Sequence, residues 1–287
     1  MKASIDDRKT KESDKATKDI VHSCISLLNK ERKLLVFPML SFALLVTTLL
    51  LFGVYIDEIQ ELFDYLTNRD VSISIPILIG LFIIFFIESF FQAALITSTH
   101  VAIKGKRISI GYGITKAFNK IANILLWSII STLMNFVDRL YGKSFVGKIF
   151  GQITLFAWRI LTLFSLPILI LTNADMVTAI KQSASVLKSS FGENIVGNIK
   201  IWLFLLPYVF LSVIALVIGF RSEGIFTSGI FLGGGIISLL FLFVLGRTLG
   251  SVFRTVLFVY VDEGKIAHGF LKASLDKSFK TKGEKNI

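Results

Sequence analysis

Apolar and polar residues separate into blocks along this chain. Six apolar runs stand out, at about Leu34–Ile56, Ile73–Ile103, Ile121–Val137, Phe150–Leu171, Ile195–Phe220 and Gly229–Val261. A helix needs about 20 consecutive apolar residues to cross the roughly 30 Å hydrocarbon core of a bilayer. The first run has 23 residues and reaches ~34 Å at about 1.5 Å per residue. The first, third and fifth runs are each preceded by a segment with apolar residues at helical spacing. These are Ile20, Val21, Cys24, Leu27 and Leu28; then Ile114, Ala117, Phe118, Ile121 and Leu125; then Val177, Ile180, Ala184 and Leu187. The pattern predicts an all-α integral membrane helical bundle. Six transmembrane helices form three repeats of a cytoplasmic amphipathic helix plus a transmembrane hairpin. Residues 147–198 show the unit in one stretch: an apolar run holding Arg159 and Pro167, a polar break at Thr172–Asp175, an amphipathic segment, and the start of the next run.

The polar intervals set the boundaries. Residues 1–19 are almost free of apolar side chains and mix both charges, which predicts a disordered tail. Residues 20–262 form the transmembrane domain, and 263–287 a basic tail in which Ile266, Phe270 and Leu275 hint at a frayed interfacial helix. Asp57–Asp70 is an acidic loop with room for a short helix through Ile59–Leu66, and Asp138–Lys148 and Arg221–Thr227 are short loops. Asp175 is placed to cap the third amphipathic segment and Gly192 to end it. Two echoes support a repeat: Ala117, Ala122 and Leu125 align with Ala179, Ala184 and Leu187, and Ser89–Leu95 resembles Ser251–Leu257.

Charge fixes an orientation. The segments holding the amphipathic helices and both tails carry 23 Lys or Arg, against five in the three opposite loops. By the positive-inside rule both termini lie in the cytoplasm, in the plasma (inner) membrane. The net charge of +11 is then an orientation signal, with attraction to anionic membrane lipids, and not a nucleic-acid patch. The single cysteine, Cys24, rules out an intramolecular disulfide and reads as a packing residue. His22, His100 and His268 lack metal-ligand spacing. Gly142–Lys148 matches most of a phosphate-binding loop, but Ile149 stands where a metal-holding Ser or Thr belongs and no strand precedes it.

The intramembrane polar residues are the candidate chemistry. Glu88 lies 16 residues before Lys104, Arg159 lies 14 before Asn173, and Arg247 lies 15 before Asp262. At about 1.5 Å per residue all three sit ~21–24 Å from the same membrane face. A lone charge there costs at least about 2.5–3.5 kcal/mol on insertion scales. Glu88 is therefore expected to pair with Arg159 or Arg247, either as a clasp between repeats or as the gate of a site where the unpaired Arg takes an anionic group. Arg254, eight residues before Asp262, snorkels to the interface. Ser128, Ser131 and Asn135 form a polar stripe with Asp138 on the third run, which reads first as helix packing and second as a substrate path. Gly229-x-x-x-Gly233 and Gly246-x-x-x-Gly250 allow close helix approach, inside the chain or in a homo-oligomer.

Several strings together resemble a family of uncharacterised prokaryotic multi-pass membrane proteins, a domain of unknown function. They are Leu34–Ser41 after a Lys/Arg cluster, Phe90–Leu95, Ala157–Ile160 through Pro167, and Ala179–Leu187 with Gly192–Gly197. The resemblance covers about residues 20–262. It implies a six-helix integral membrane protein and supplies no catalytic residues.

Two functional classes are consistent with this reading. The first is a non-enzymatic membrane protein that maintains the envelope or handles lipid or another amphiphile. The second is a secondary transporter with a midplane site near Glu88 and Arg159, since internal repeats are frequent in transporters. An embedded enzyme lacks support, because no nucleophile–base pair, carboxylate dyad or metal-ligand set appears. No catalytic residue, cofactor or metal is assigned.

Overall fold

The computed structural model describes residues 19–67, 74–140 and 145–263. Both tails therefore lie outside the described residues, apart from their inner ends. The described chain is helical, with no strand. Helix α1 spans residues 19–30. A single 3-10 turn, Arg32–Leu35, leads into α2 (Val36–Val54); next come α3 (Ile56–Thr67), α4 (Ser74–Ile103), α5 (Ile110–Asn119) and α6 (Ile121–Leu140). The chain continues through α7 (Phe145–Leu161), α8 (Ser165–Leu171), α9 (Met176–Arg221) and α10 (Ile225–Glu263).

Among the described residues, five segments are long and apolar enough to cross a membrane: Arg32–Val54, Ile75–Ile103, Phe150–Leu171, Leu203–Arg221 and Ile225–Asp262. The bent pair α5 and α6 makes a sixth if counted as one. Their outer surfaces are apolar. Phe210, Leu211, Phe220 and Ile237 are all more than 65% exposed, an arrangement that water would penalise and lipid would not. At about 1.5 Å per residue, α10 is ~58 Å long, so it extends beyond the hydrocarbon core. This is the membrane-protein fold that the hydropathy pattern implies.

The chain divides into two compact units, one of residues 1–35, 99–108 and 188–287, the other of 36–98 and 109–187. In the first unit α1 buries Ile20, Val21, Cys24, Leu27 and Leu28, its whole expected apolar face. Leu34 of the 3-10 turn is fully buried, and this turn packs on α10. From Leu249 to Val259 every α10 residue is buried except Arg254, whereas its first half exposes Ile230, Ile236, Ile237 and Phe241. The end of α9 and the start of α10 form a tight hairpin. A Cβ on Gly219 would stand 2.8 Å from the Leu232 backbone nitrogen, and one on Gly235 would stand 2.7 Å from Leu216 Cδ2. Ser212 and Ser238 hydroxyls meet across it at 2.7 Å, and the Ser228 hydroxyl donates to the Gly219 carbonyl at 2.8 Å.

In the second unit α5 and α6 are bent by 74° at Lys120. Gly113 seats α5 on α4 and the start of α2: a Cβ there would lie 2.9 Å from Phe37 Cζ and 3.0 Å from the Ala94 carbonyl oxygen. Phe118 meets Phe90 edge-on at 4.9 Å. The fourth apolar run is not one helix but two. Pro167 lacks an N–H and its ring clashes with the carbonyl four residues back, so α7 stops at Leu161 and α8 restarts with Pro167 in its first turn.

Three expectations need correction. Gly192 does not end the third amphipathic segment, because α9 runs through it to Arg221. One interior Gly costs only about 1 kcal/mol relative to Ala, and an uninterrupted helix satisfies its own amides. The loop at Asp138–Lys148 shrinks for the same reason: α6 reaches Leu140 and α7 begins at Phe145, so Gly147, Lys148 and Ile149 are helical rather than a phosphate-binding loop. The buried face of early α9 is Ala179, Ser183, Val186 and Leu187, leaving Val177 exposed and Ile180 and Ala184 half-buried. The short helix expected in the acidic loop is present as α3. The three amphipathic segments connect to their spans differently: through a 3-10 turn, through a 74° bend, and by direct helical continuation.

Candidate functional site: a basic interfacial cavity and the intramembrane polar groups

A cavity of about 460 Å³ opens in the first unit, lined by Ser23, Ser26, Leu27, Lys30, Glu31, Ala102, Gly105, Lys106 and Arg107. One wall is the polar side of α1, whose other side is buried in the core. The second wall is the turn that ends α4. That turn is a Schellman cap: the Lys106 N–H donates to the Val101 carbonyl at 3.3 Å and the Gly105 N–H to the Ala102 carbonyl at 2.9 Å. Gly105 adopts φ 72°, a conformation that side chains with a Cβ disfavour. The cap turns the chain sharply and brings Lys106 and Arg107 back beside α1.

Chain adjacency sets the depth of the cavity. Its α1 wall ends at Glu31, next to the start of the span Arg32–Val54, and its second wall, from Ala102 to Arg107, runs across the end of the span Ile75–Ile103. Lys30, Lys106 and Arg107 are exposed, and Glu31 is half-buried. Three cations and one carboxylate thus line a recess beside the ends of two candidate spans. Ser23 donates its hydroxyl proton to the Asp19 carbonyl at 2.9 Å, which leaves its oxygen free to accept. Cys24 lies behind this wall, fully buried, and burial pushes its thiol well above the usual range.

The sequence contains the signal for this site in the string Lys104-Gly105-Lys106-Arg107, a glycine just past a helix end with cations beyond it. Counted as charges alone, those cations mark topology and not a site. The role of Ser23, Ser26 and Glu31 is not legible in the sequence, since it depends on how α1 folds against residues 99–108.

The residues singled out from sequence fall in both units. Glu88 is half-buried on α4, and Arg159 is exposed on α7, both in the second unit. Arg159 Nη2 donates to Asn135 Oδ1 at 3.4 Å, which joins α7 to the polar stripe of α6. Within that stripe Ser128 and Ser131 are buried and Asn135 is half-buried. The Ser128 hydroxyl bonds the Ile124 carbonyl at 2.7 Å and the Asn135 amide bonds the Ser131 carbonyl at 2.7 Å. Trp127 and Trp158 stack beside them at 6.5 Å. Arg247 and Arg254 are half-buried on α10 in the first unit, with the Arg247 guanidinium 5.7 Å from the Phe243 ring centre. Gly229 and Gly233 face open space, whereas Gly246 and Gly250 are buried. The glycines that close the intramolecular hairpin are instead Gly219 and Gly235.

No curated protein and no solved structure matches the chain. One family profile does, the "Family of unknown function (DUF6159)", over residues 71–269. It takes in Phe90–Leu95, the Arg159–Pro167 stretch, Ala179–Leu187 and the second wall of the cavity, and it leaves the Leu34–Ser41 string and α1 outside. The match extends over most of the chain and every span after the first, so the protein belongs to the DUF6159 family of unknown function.

Proposed function

We propose that this is a non-enzymatic multi-pass protein of the plasma (inner) membrane, with both termini cytoplasmic, that binds anionic lipid or another anionic amphiphile in maintaining the envelope. The observation that carries this reading is the cavity lined by Lys30, Lys106 and Arg107 beside the ends of two candidate spans. Its volume falls within the roughly 300–1,000 Å³ of small-ligand sites. The imbalance of 23 against five basic residues supports placing this face in the cytoplasm, where anionic lipid is concentrated. Each Lys or Arg near an anionic surface contributes about 1 kcal/mol. Replacing all three cations by Gln is therefore expected to lower retention of anionic lipid by about tenfold or more, read by mass spectrometry of lipids that survive detergent washing. Unchanged retention in that variant would overturn the reading.

A secondary transporter is the second reading. The observation that favours it is an exposed guanidinium, Arg159, in the middle of the span Phe150–Leu171, where a charge calls for water or a ligand. Arg159→Cys in a Cys24→Ser background tests it. Labelling by a membrane-impermeant thiol reagent supports an aqueous path, and complete protection removes this reading.

A further inference from the structure

We infer that the cavity selects a phospholipid head group carrying an ammonium beside its phosphodiester, with phosphatidylserine the best fit. The inference rests on the lipid-binding reading above and goes beyond it in naming the head group. A site built only for negative charge has no use for a carboxylate. Here Glu31 shares the lining with Lys30, Lys106 and Arg107. Half-buried, it is partly shielded from the solvent that screens the exposed cations. Ser23 lies on the same α1 wall, two turns before Glu31, and offers an acceptor oxygen because its proton is committed to the Asp19 carbonyl. Glu31 therefore supplies the carboxylate acceptor for an ammonium, which has three donors and no acceptor, and Ser23, about 12 Å away along α1, adds a second acceptor to the same lining. Lys30, Lys106 and Arg107 supply donors for a phosphate and a carboxylate, with Arg107 able to bind either in a bidentate fork.

Three cations and one anion complement two anionic groups and one cation, the charge set of a phosphoserine diester. Phosphatidylglycerol has the same net charge and no ammonium. The two lipids feel the same long-range field, so any preference between them comes from short-range chemistry at Glu31 and Ser23. A partly exposed pair contributes little, so the expected preference is about two- to fivefold.

The test uses the full-length chain in nanodiscs with equimolar phosphatidylserine, phosphatidylglycerol and phosphatidylcholine. Retained lipids are counted by mass after extraction. The expected result is enrichment of phosphatidylserine over phosphatidylglycerol by about two- to fivefold, lost in Glu31→Gln, with both anionic lipids still above phosphatidylcholine. Lys106→Gln should lower both anionic lipids together while leaving their ratio in place. Equal retention of the two anionic lipids by the native chain, or a ratio unmoved by Glu31→Gln in a chain of native thermal stability, overturns the selectivity and leaves anionic binding standing. Retention of neither above phosphatidylcholine overturns the lipid-binding reading itself. Competition by free glycerophosphoserine as strong as that by the lipid overturns the assignment to a membrane source.

Discussion

The Ser183 hydroxyl donates to the Leu161 carbonyl at 2.7 Å and so holds α9 against the break between α7 and α8. The same oxygen accepts the Phe164 N–H at 3.0 Å. These are the two groups the break leaves over. Leu163 N–H takes the Ile160 carbonyl that Phe164 would have used, and Ser165 N–H donates to Thr162 rather than to Leu161. One side chain from another helix satisfies both orphans in a buried place, where unmet polar groups are costly.

Ser183→Ala is accordingly expected to destabilise the protein by about 1–3 kcal/mol, the cost of leaving buried polar groups unsatisfied. Thermal unfolding of the purified chain in detergent reads this directly. A melting temperature unchanged from native would mean that water fills the gap without cost.

The α9–α10 hairpin makes a prediction about four glycines. Gly219→Ala and Gly235→Ala each force a Cβ against Leu232 or Leu216, and overpacking of this kind costs about 1–3 kcal/mol. Gly229→Ala and Gly233→Ala meet nothing within 4 Å and should leave thermal stability alone. If Gly229 and Gly233 form a homo-oligomer contact, larger substitutions there should dissociate it without unfolding the chain. Light scattering in detergent separates the two effects, and destabilisation by Gly229→Ala would contradict the open face.

Most apolar runs are legible in the sequence because hydropathy is set by solvent and needs no tertiary detail, but the fifth run, read from Ile195, is apolar enough to span only from Leu203, and the third qualifies only together with α5. The full apolar face of α1 is readable from spacing alone, since Ile20, Val21, Cys24, Leu27 and Leu28 all turn inward. The break at Thr162–Phe164 is not, although Pro167 causes it; a proline near the end of an apolar run looks like a terminus until the restarted helix is seen. The GxxxG rule finds Gly229 and Gly233 and misses Gly219 and Gly235, because a spacing motif cannot say which face of a helix meets its neighbour. The basic cavity depends on two segments some seventy residues apart in sequence coming together. Its cations are visible in the sequence as charges but not as a site.

The start of α9 carries a pH-sensitive cap. Asp175 Oδ2 accepts the backbone N–H of Val177 at 3.2 Å and of Thr178 at 3.4 Å. The Thr178 side chain first, and then its backbone N–H, hold the carboxyl below the ordinary carboxylate value. A depressed folded value means that the cap contributes stability above the unfolded value, near 3.8, and loses it as the pH falls through the folded value. Protection factors at residues 176–180, taken against intrinsic exchange rates that themselves slow in acid, should therefore fall below about pH 4 in the native chain. In Asp175→Asn that acid-dependent step should vanish; its persistence would place the titrating group elsewhere.

Topology is tested by reporter fusions. If both termini are cytoplasmic, as proposed, fusions after Asp64 and Arg221 should read as external, and fusions after Lys106 and Ser189 as cytoplasmic. A cytoplasmic signal after Asp64 would invert the face on which the basic cavity lies, and with it the case for anionic lipid.

Arg159 and Asn135 provide the sharpest test of whether an intramembrane charge is kept for packing. The guanidinium leaves α7 toward its N-terminus, as helical side chains do, and reaches Asn135 Oδ1 at 3.4 Å. Asn135 is aimed by its own amide bond to the Ser131 carbonyl, so its oxygen faces the arginine. Polar pairs between membrane helices are worth about 0.6 kcal/mol on average. A mid-span charge costs about 2.5–3.5 kcal/mol on insertion scales. The pair is therefore too weak to account for the charge. Arg159→Leu should leave stability in nanodiscs unchanged or raise it, while Asn135→Leu should lower it. A double-mutant cycle between them should show a coupling of about 0.6 kcal/mol. A large loss of stability in Arg159→Leu would instead make the arginine a structural clasp. Stability retained or gained leaves a costly charge that packing does not require, and directs attention to what the guanidinium binds.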